Sequence, residues 1–149
     1  NDDAEIGPGA IEKMISWFSN PLVGQVGPKG ASWFRKEPGE FVGVSKSEEA
    51  DQISGWLFML PAKIFHEIGG VDNFYSPAFM EEIDLSFAIR NAGYKCMVDP
   101  SINAKHHHIS GASSTNIPIE ALGSSISREE LTSRNRSYFE KKWEKFWNK

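Results

Sequence analysis

Residues 79–95 read FMEEIDLSFAIRNAGYK. Three carboxylates fall within four positions of this stretch, and apolar side chains are interleaved among them. They are Glu81, Glu82 and Asp84. A solvated run of charge does not need apolar neighbours, whereas a general base benefits from them because partial burial raises the pKa of a carboxyl group. Acidic residues in a first helical turn also complement the helix dipole, so the pattern supports a structural role almost equally well. The stretch predicts a helix from Glu81 to Ala92, closed by Gly93, with a candidate base or metal ligand at its start.

The composition suits one globular domain. At 149 residues, with 40% hydrophobic and 24% charged residues, the chain is long enough to form a real core. Its net charge of −4 argues against a nucleic-acid surface, which requires a clustered basic excess. The single cysteine, Cys96, excludes an internal disulfide framework and fits a reducing compartment. No apolar run approaches the ~20 residues of a membrane span, and we therefore expect a cytoplasmic protein.

Alternating helix and strand patterns predict an α/β fold. Four apolar residues at i, i+3, i+4 and i+7 predict a helix over residues 10–18. They are Ile11, Met14, Ile15 and Phe18. Pro61 suits the start of another helix, which Gly69-Gly70 would end. Apolar runs predict strands over the ranges 22–26, 52–60, 94–98 and 102–106. Gly- and Ser-rich composition predicts loops over the ranges 29–50 and 110–126.

A basic, aromatic helix is predicted at the end of the chain. Ser127 and Glu130 have the spacing of a capping box, in which each side chain hydrogen-bonds to the backbone of the other residue. The helix that follows combines five cations with aromatic residues. The cations are Arg134, Arg136, Lys141, Lys142 and Lys145. Such a helix could contact an anionic lipid surface or a phosphate, but packing of its aromatic residues on the domain is the better supported interpretation.

Two further clusters could hold a cation. Asp2-Asp3 offers adjacent carboxylates, the oxygen ligands that hard divalent ions prefer, although for this pair alone a solvated turn or helix cap is the better supported interpretation. In a strand, His106 and His108 would share one face and His107 would take the other. Imidazole suits manganese-like or zinc ions, but a surface or hydrogen-bonded histidine is the more frequent case for any one of them, and zinc would need a further ligand.

In chain order, these segments resemble the second half of the catalytic domain of a family 2 glycosyltransferase with the GT-A fold. The matching segments are NDD at 1–3, GQVGP at 24–28, SGWLFML at 54–60, IFHEIGGVD at 64–72, FMEEIDLSFAIRNAGYK at 79–95, DP at 99–100 and HISGAS at 108–113. The final RSYFEKKW, at 136–143, is similar to the tail of bacterial members. The resemblance covers nearly the whole chain, and the segment from Gly69 to His108 is its most specific part.

The resemblance implies roles for residues at both ends of this range. Asn1-Asp2-Asp3 stands at the DxD motif of the family, so Asp3 would bind the Mn²⁺ or Mg²⁺ ion that bridges the nucleotide diphosphate. Asn1 and Asp2 would contact the donor nucleotide, with Asn1 in place of the usual first aspartate. His108 falls on a histidine that can be a further metal ligand.

The resemblance also implies a catalytic base. Glu82 stands where the family has the aspartate of its Glu-Asp pair, and its longer side chain is a departure from that pattern. Glu81 is the alternative base. Gly55 and Trp56 lie on the strand that usually lines the acceptor side. Two further matches are expected to be structural, namely Asp84 and Arg90.

The implied activity is inverting, metal-dependent transfer of a sugar from a nucleotide-diphospho-sugar to a hydroxyl of a glycan or lipid-linked acceptor. Such a reaction would serve polysaccharide, glycan or glycolipid biosynthesis. Residues 1–126 would form the metal and acceptor half of the GT-A domain, without its nucleotide-binding half, and residues 127–149 would form the terminal helix, a candidate for peripheral contact with the inner face of the membrane.

Two alternatives stay open. One is a non-catalytic fragment or binding domain that keeps the GT-A fold, because the nucleotide-binding strands would lie upstream. The other, a glycosidase, is less well supported because its paired carboxylates usually come from separate elements on either side of the sugar.

Overall fold

A computed structural model describes residues 3–32, 42–107, 118–121 and 123–147. The strands are β1 (Ala4–Ile6), β2 (Val23–Gly27), β3 (Gly30–Ser32), β4 (Val42–Gly43), β5 (Glu48–Ala50), β6 (Gln52–Ile53), β7 (Lys95–Val98), β8 (Ala104–His106), β9 (Ile119–Ala121) and β10 (Ser124–Ile126). The α-helices are α1 (Ala10–Trp17), α2 (Ala62–Glu67), α3 (Glu81–Asn91), α4 (Arg128–Lys142) and α5 (Glu144–Trp147), and a 3₁₀ turn covers Asn73–Tyr75.

The described strands form two three-stranded sheets and two two-stranded sheets. The first sheet has the order β2-β7-β5, in which β2 runs parallel to β7 and β5 runs antiparallel to β7. The second sheet has the order β4-β3-β6, and the pairs β1-β8 and β9-β10 are antiparallel. The mixed α/β class predicted from the alternating pattern is therefore confirmed.

Helix α3 is buried on two sides. Leu85 and Ile89 pack into a cluster with residues of the sheets and α2. Ile83 and Phe87 point the other way, into a cluster completed by α4. The predicted bounds and apolar residues of this helix agree with the structure, and its burial on both sides fixes the position of its first turn.

Helix α4 belongs to the same core. Ser127 Oγ accepts a hydrogen bond from Glu130 N, which confirms Ser127 as the N-cap predicted from sequence. Phe139 is fully buried and meets Phe87 of α3 edge-to-face, with 4.8 Å between ring centroids. The predicted packing of this helix's aromatic residues on the domain is confirmed, although α4 ends at Lys142 and a short α5 follows.

Four shorter expectations are wrong. The predicted loop over 29–50 contains strands β3, β4 and β5. The signal was weak because β3 is made of small residues: a side chain on Gly30 would collide with the carbonyl oxygen of Gln52 in the neighbouring strand. Within the predicted strand 52–60, only β6 is extended in a sheet, and Met59 makes an isolated bridge to Val26.

The other two differences have local causes. Strands β9 and β10 fall in the predicted loop 110–126, where Gly123 adopts a φ of 78° between them. Helix α1 buries Ala10 and Met14, whereas Ile11 and Ile15 are exposed, because the helix is rotated relative to the stripe expected from its large side chains. Within the described ranges, no helix has both the length and the apolarity needed to cross a bilayer.

Candidate functional site

The turn before α3 has an unusual backbone. Phe79 and Met80 adopt φ angles of 76° and 74°, in the left-handed region that non-glycine residues rarely occupy. Such residues cost about 1–3 kcal/mol each and persist where surrounding contacts hold them. Glu81 and Glu82 follow directly, so this turn sets the direction in which both carboxylates leave the helix.

Glu82 lies against the segment that follows β6. A methyl group built on Gly55 would lie only 3.0 Å from Glu82 Cγ, which shows how closely the two residues approach. One turn along α3, Ser86 Oγ accepts a hydrogen bond from Ile53 N of β6, so the same face of the helix is fastened to the sheet. Burial, together with the nearby charge of Glu81, raises the pKa of Glu82 to about 7. A carboxyl group of this kind can exchange protons near neutral pH.

Glu81 lies in a different environment. Its Oε2 atom is buried and has no hydrogen-bond partner among the described residues. The side chain borders a cleft of about 190 Å³, which is also lined by the 3₁₀ turn and by Asp72 and Ser76. The two adjacent glutamates therefore contact different parts of the molecule.

Asp3 lies beside a histidine. Strands β1 and β8 pair in a register that sets Ala4 opposite His106, so that Asp3 Oδ1 lies 3.1 Å from His106 Nε2. His107 points to the other face, with Nε2 3.0 Å from Glu5 Oε2, as the alternation of a strand predicts. Three predicted site residues lie outside the described ranges: Asn1, Asp2 and His108.

Trp56 connects the Asp3–His106 pair with the surroundings of Glu82. Its ring stacks on the His106 ring with 5.1 Å between centroids and 5° between planes. Because Trp56 directly follows Gly55, a continuous path of neighbouring residues runs from Asp3 through His106 and Trp56 to Glu82. The Nε1 atom of Trp56 is buried and makes no hydrogen bond to the described residues. The structure thus brings together four of the residues singled out from sequence: Asp3, Gly55, Trp56 and Glu82.

His106 belongs to the histidine cluster considered for a cation from sequence, but the resemblance implied a metal-binding role only for His108. The available signal was the strand alternation that sets His106 on the opposite face from His107. Sequence alone did not show that β1 and β8 pair, because nearly 100 positions separate them.

The donor atoms present suit a divalent cation, since carboxylate and imidazole groups bind Mn²⁺-like ions. Asp3 and His106 supply one donor of each kind. Across the part of the chain that the structure describes, no group of three His, Cys, Asp or Glu residues lies close enough to enclose a metal ion. The predicted Mn²⁺ or Mg²⁺ ion therefore stays a prediction.

Asp84 serves a structural network. The buried carboxylate accepts hydrogen bonds from Tyr75 OH at 2.9 Å and Trp143 Nε1 at 2.7 Å, and Lys142 Nζ lies 2.8 Å from its other oxygen. Arg90 forms a 2.8 Å ion pair with Asp51. These contacts agree with the structural roles expected for Asp84 and Arg90.

Comparison of the chain with models of protein families and with curated proteins gives no match.

Proposed function

We propose that this chain contributes the metal and acceptor side of an inverting glycosyltransferase with a GT-A-like fold. The observation that carries the proposal is the path of neighbouring residues from Asp3 through His106, Trp56 and Gly55 to Glu82. Sugar transfer from a nucleotide donor needs an anion-neutralising group and a base near the same substrate, and this path connects candidates for the two roles.

Glu82 is the proposed general base. Its carboxylate would take the proton of the acceptor hydroxyl while the hydroxyl oxygen bonds to the anomeric carbon of the donor sugar. The bond from that carbon to the diphosphate breaks with its electron pair, which leaves on the nucleotide diphosphate. A pKa of about 7 makes the Glu82 carboxylate basic enough to accept the proton and still substantially ionised near neutral pH.

Asp3 and His106 are the proposed residues for holding the cation, with His108 as a further expected ligand. When bound, Mn²⁺ or Mg²⁺ would supply positive charge to the leaving diphosphate. The carboxylate of Asp3 provides a hard oxygen donor, and His106 provides either a direct ligand or a hydrogen bond that orients Asp3.

Gly55 and Trp56 are the proposed acceptor side. Gly55 lets the backbone approach the Glu82 side chain closely, since even a methyl group there would lie 3.0 Å from Glu82 Cγ. The buried Nε1 of Trp56 is a donor that an acceptor oxygen could satisfy. The proposed acceptor is a glycan or a lipid-linked sugar, and the proposed donor is a nucleotide-diphospho-sugar.

The division of the chain into residues 1–126 and 127–149, and a contact of the terminal helix with the membrane, also remain proposals. Phe139 and Trp143 are buried against α3, so a peripheral contact at the inner face of the membrane would use exposed cations such as Lys141. A cytoplasmic location agrees with Cys96, whose burial raises the pKa of the thiol and makes it unreactive.

Calorimetric titration with UDP and with GDP tests the proposal, using the protein with the donor-binding half that the resemblance implies. Nucleotide binding should require Mn²⁺ or Mg²⁺, and Asp3→Ala should weaken it at least ~10-fold because a charged ligand to the cation is lost. Glu5→Ala is the matched control, since Glu5 is exposed on the same strand and contacts His107 instead.

Metal-independent nucleotide binding that Asp3→Ala leaves unchanged would contradict the metal role. Metal-dependent binding with no sugar transfer to any glycan acceptor would support the alternative of a binding domain that keeps the fold.

A further inference from the structure

Asn135 is a fully buried polar residue in the middle of α4. Its Nδ2 group lies 2.8 Å from the carbonyl oxygens of both Ala78 and Phe79, and 3.3 Å from that of Tyr75. Its Oδ1 atom accepts hydrogen bonds from Nε and Nη2 of Arg134, at 3.0 and 2.9 Å. Both ends of the amide are therefore engaged, and the donor end faces only backbone carbonyls of the segment before α3.

These contacts fix two particular peptide groups. The carbonyl of Ala78 belongs to the peptide plane that precedes Phe79, and the carbonyl of Phe79 belongs to the plane that precedes Met80. The orientations of these planes determine φ at Phe79 and at Met80, the two non-glycine residues in the left-handed region. Relaxation of either residue to an ordinary φ would rotate a carbonyl away from Asn135.

Arg134, the residue before Asn135, also hydrogen-bonds to the backbone, at and just after the 3₁₀ turn. Its Nη2 atom donates to the carbonyl oxygens of Ser76 at 2.7 Å and Phe74 at 3.2 Å. Two consecutive residues of α4 thus bind the backbone on both sides of position 77, and the chain continues from this segment to Glu82 through Met80 and Glu81.

We propose that Asn135 is a positioning residue for Glu82, acting through the left-handed turn at Phe79 and Met80. The assignment rests on the proposed function only in naming Glu82 as the base. Without the amide, the turn relaxes, the first turn of α3 reorients, and the Glu82 carboxyl leaves its packed position beside Gly55.

The physical reason for a buried asparagine at this position is its hydrogen bonding. An amide is costly to bury unless it is bonded, and an apolar residue of the same size would fill the space without that cost. The apolar packing of α4 on α3 is supplied instead by Phe139 and Trp143.

The test is an NMR comparison of Asn135→Leu with the wild type, using the 149-residue chain, so that no transferase activity is required. Asn135→Leu should shift the Cα resonances of Phe79 and Met80 and lower the titration midpoint of the Glu82 carboxyl by about one pH unit, because the group becomes more solvated. Phe139→Leu is the control, since it removes apolar packing from the cluster that includes Met80 without removing a hydrogen bond to the turn.

A folded Asn135→Leu variant with unchanged Phe79, Met80 and Glu82 signals would overturn the proposal, as would equal changes in Phe139→Leu. A wild-type measurement covers the case in which Asn135→Leu does not fold. The two Nδ2 protons of Asn135 should exchange with solvent far more slowly than those of the exposed Asn91, and equally fast exchange would overturn the proposal. Absence of sugar transfer with these NMR results intact would count against the proposed function alone.

Discussion

At the level of single residues, Glu82 and Glu81 differ in what surrounds their side chains. The two side chains have the same chemistry and adjacent positions, yet Glu82 packs against Gly55 and titrates near neutral pH, whereas Glu81 borders the cleft beside the 3₁₀ turn. Sequence identified both as candidate bases, with Glu82 preferred from the resemblance. The structure adds an independent physical reason for that preference.

The raised pKa of Glu82 predicts a pH-dependent stability. Between pH 4.5 and about 7 the native state binds a proton at Glu82 more tightly than the unfolded chain does. The contribution of this group to the free energy of unfolding therefore falls as pH rises through that window and is constant above it. Glu82→Gln removes this fall, so its stability relative to wild type should increase by up to about 3 kcal/mol across the window. Urea unfolding at pH 5 and pH 8 measures the difference in unfolding free energy between Glu82→Gln and the wild type. The same difference at both pH values would contradict the raised pKa of Glu82.

Gly55→Ala should impair catalysis with little effect on stability. The added methyl group would lie 3.0 Å from Glu82 Cγ and displace that side chain by a few tenths of an ångström. Small misplacements of a catalytic group can cost up to ~100-fold in rate, and we expect a fall in kcat of at least ~10-fold. Gly43→Ala is the matched control, because a methyl group there meets no atom of the described residues within 4 Å. Equal kcat values for both variants would show that the contact with Gly55 does not control Glu82.

At the level of elements, a charged network ties α4 to α3 and the 3₁₀ turn. Lys142 Nζ lies 2.8 Å from both Asp72 and Asp84, and Tyr138 OH donates to the same Asp72 oxygen. The hydrogen bond from Lys142 is the main cause that lowers the pKa of Asp72. Three elements are thus linked through one lysine close to the turn that orients the glutamates.

Lys142→Ala should therefore be strongly destabilising. It would leave the buried carboxylate of Asp84 with only neutral donors, and removing one partner of a buried ion pair costs about 3–5 kcal/mol. Lys141→Ala, at an exposed position on the same turn of α4, should change stability by no more than about 0.5 kcal/mol. Urea unfolding of the two variants decides the point, since similar midpoints would mean that solvent or another cation replaces Lys142.

At the level of the whole molecule, elements with local signals were predictable from sequence and elements defined by distant partners were not. Periodicity and capping located α1, α3 and α4, because the residues that fix a helix lie within its own turns. Strands β3 and β9 escaped prediction because they are short and depend on neighbours elsewhere in the chain. The α/β class followed correctly, while the GT-A fold remains a proposal.

The same distinction applies to the candidate site. Asp3, Gly55, Trp56 and Glu82 carried a sequence resemblance and lie along one path in the structure. His106 stood out only as one of three adjacent histidines and Asn135 not at all, since their importance depends on β1-β8 pairing and on the contact of α4 with the turn before α3. Both are contacts between residues far apart in sequence, and no local pattern records them.

The most direct test of the central claim is the rate of sugar transfer by Glu82→Gln and Glu81→Gln variants, with UDP- and GDP-sugar donors and Mn²⁺. Loss of a general base lowers kcat by about 100-fold or more, and Glu82→Gln should show that loss with unchanged nucleotide affinity. Glu81→Gln should keep at least about a tenth of the activity, since a side chain outside the proton transfer contributes less. Full activity of Glu82→Gln, above all with an inactive Glu81→Gln, would contradict the assignment of Glu82 as the base.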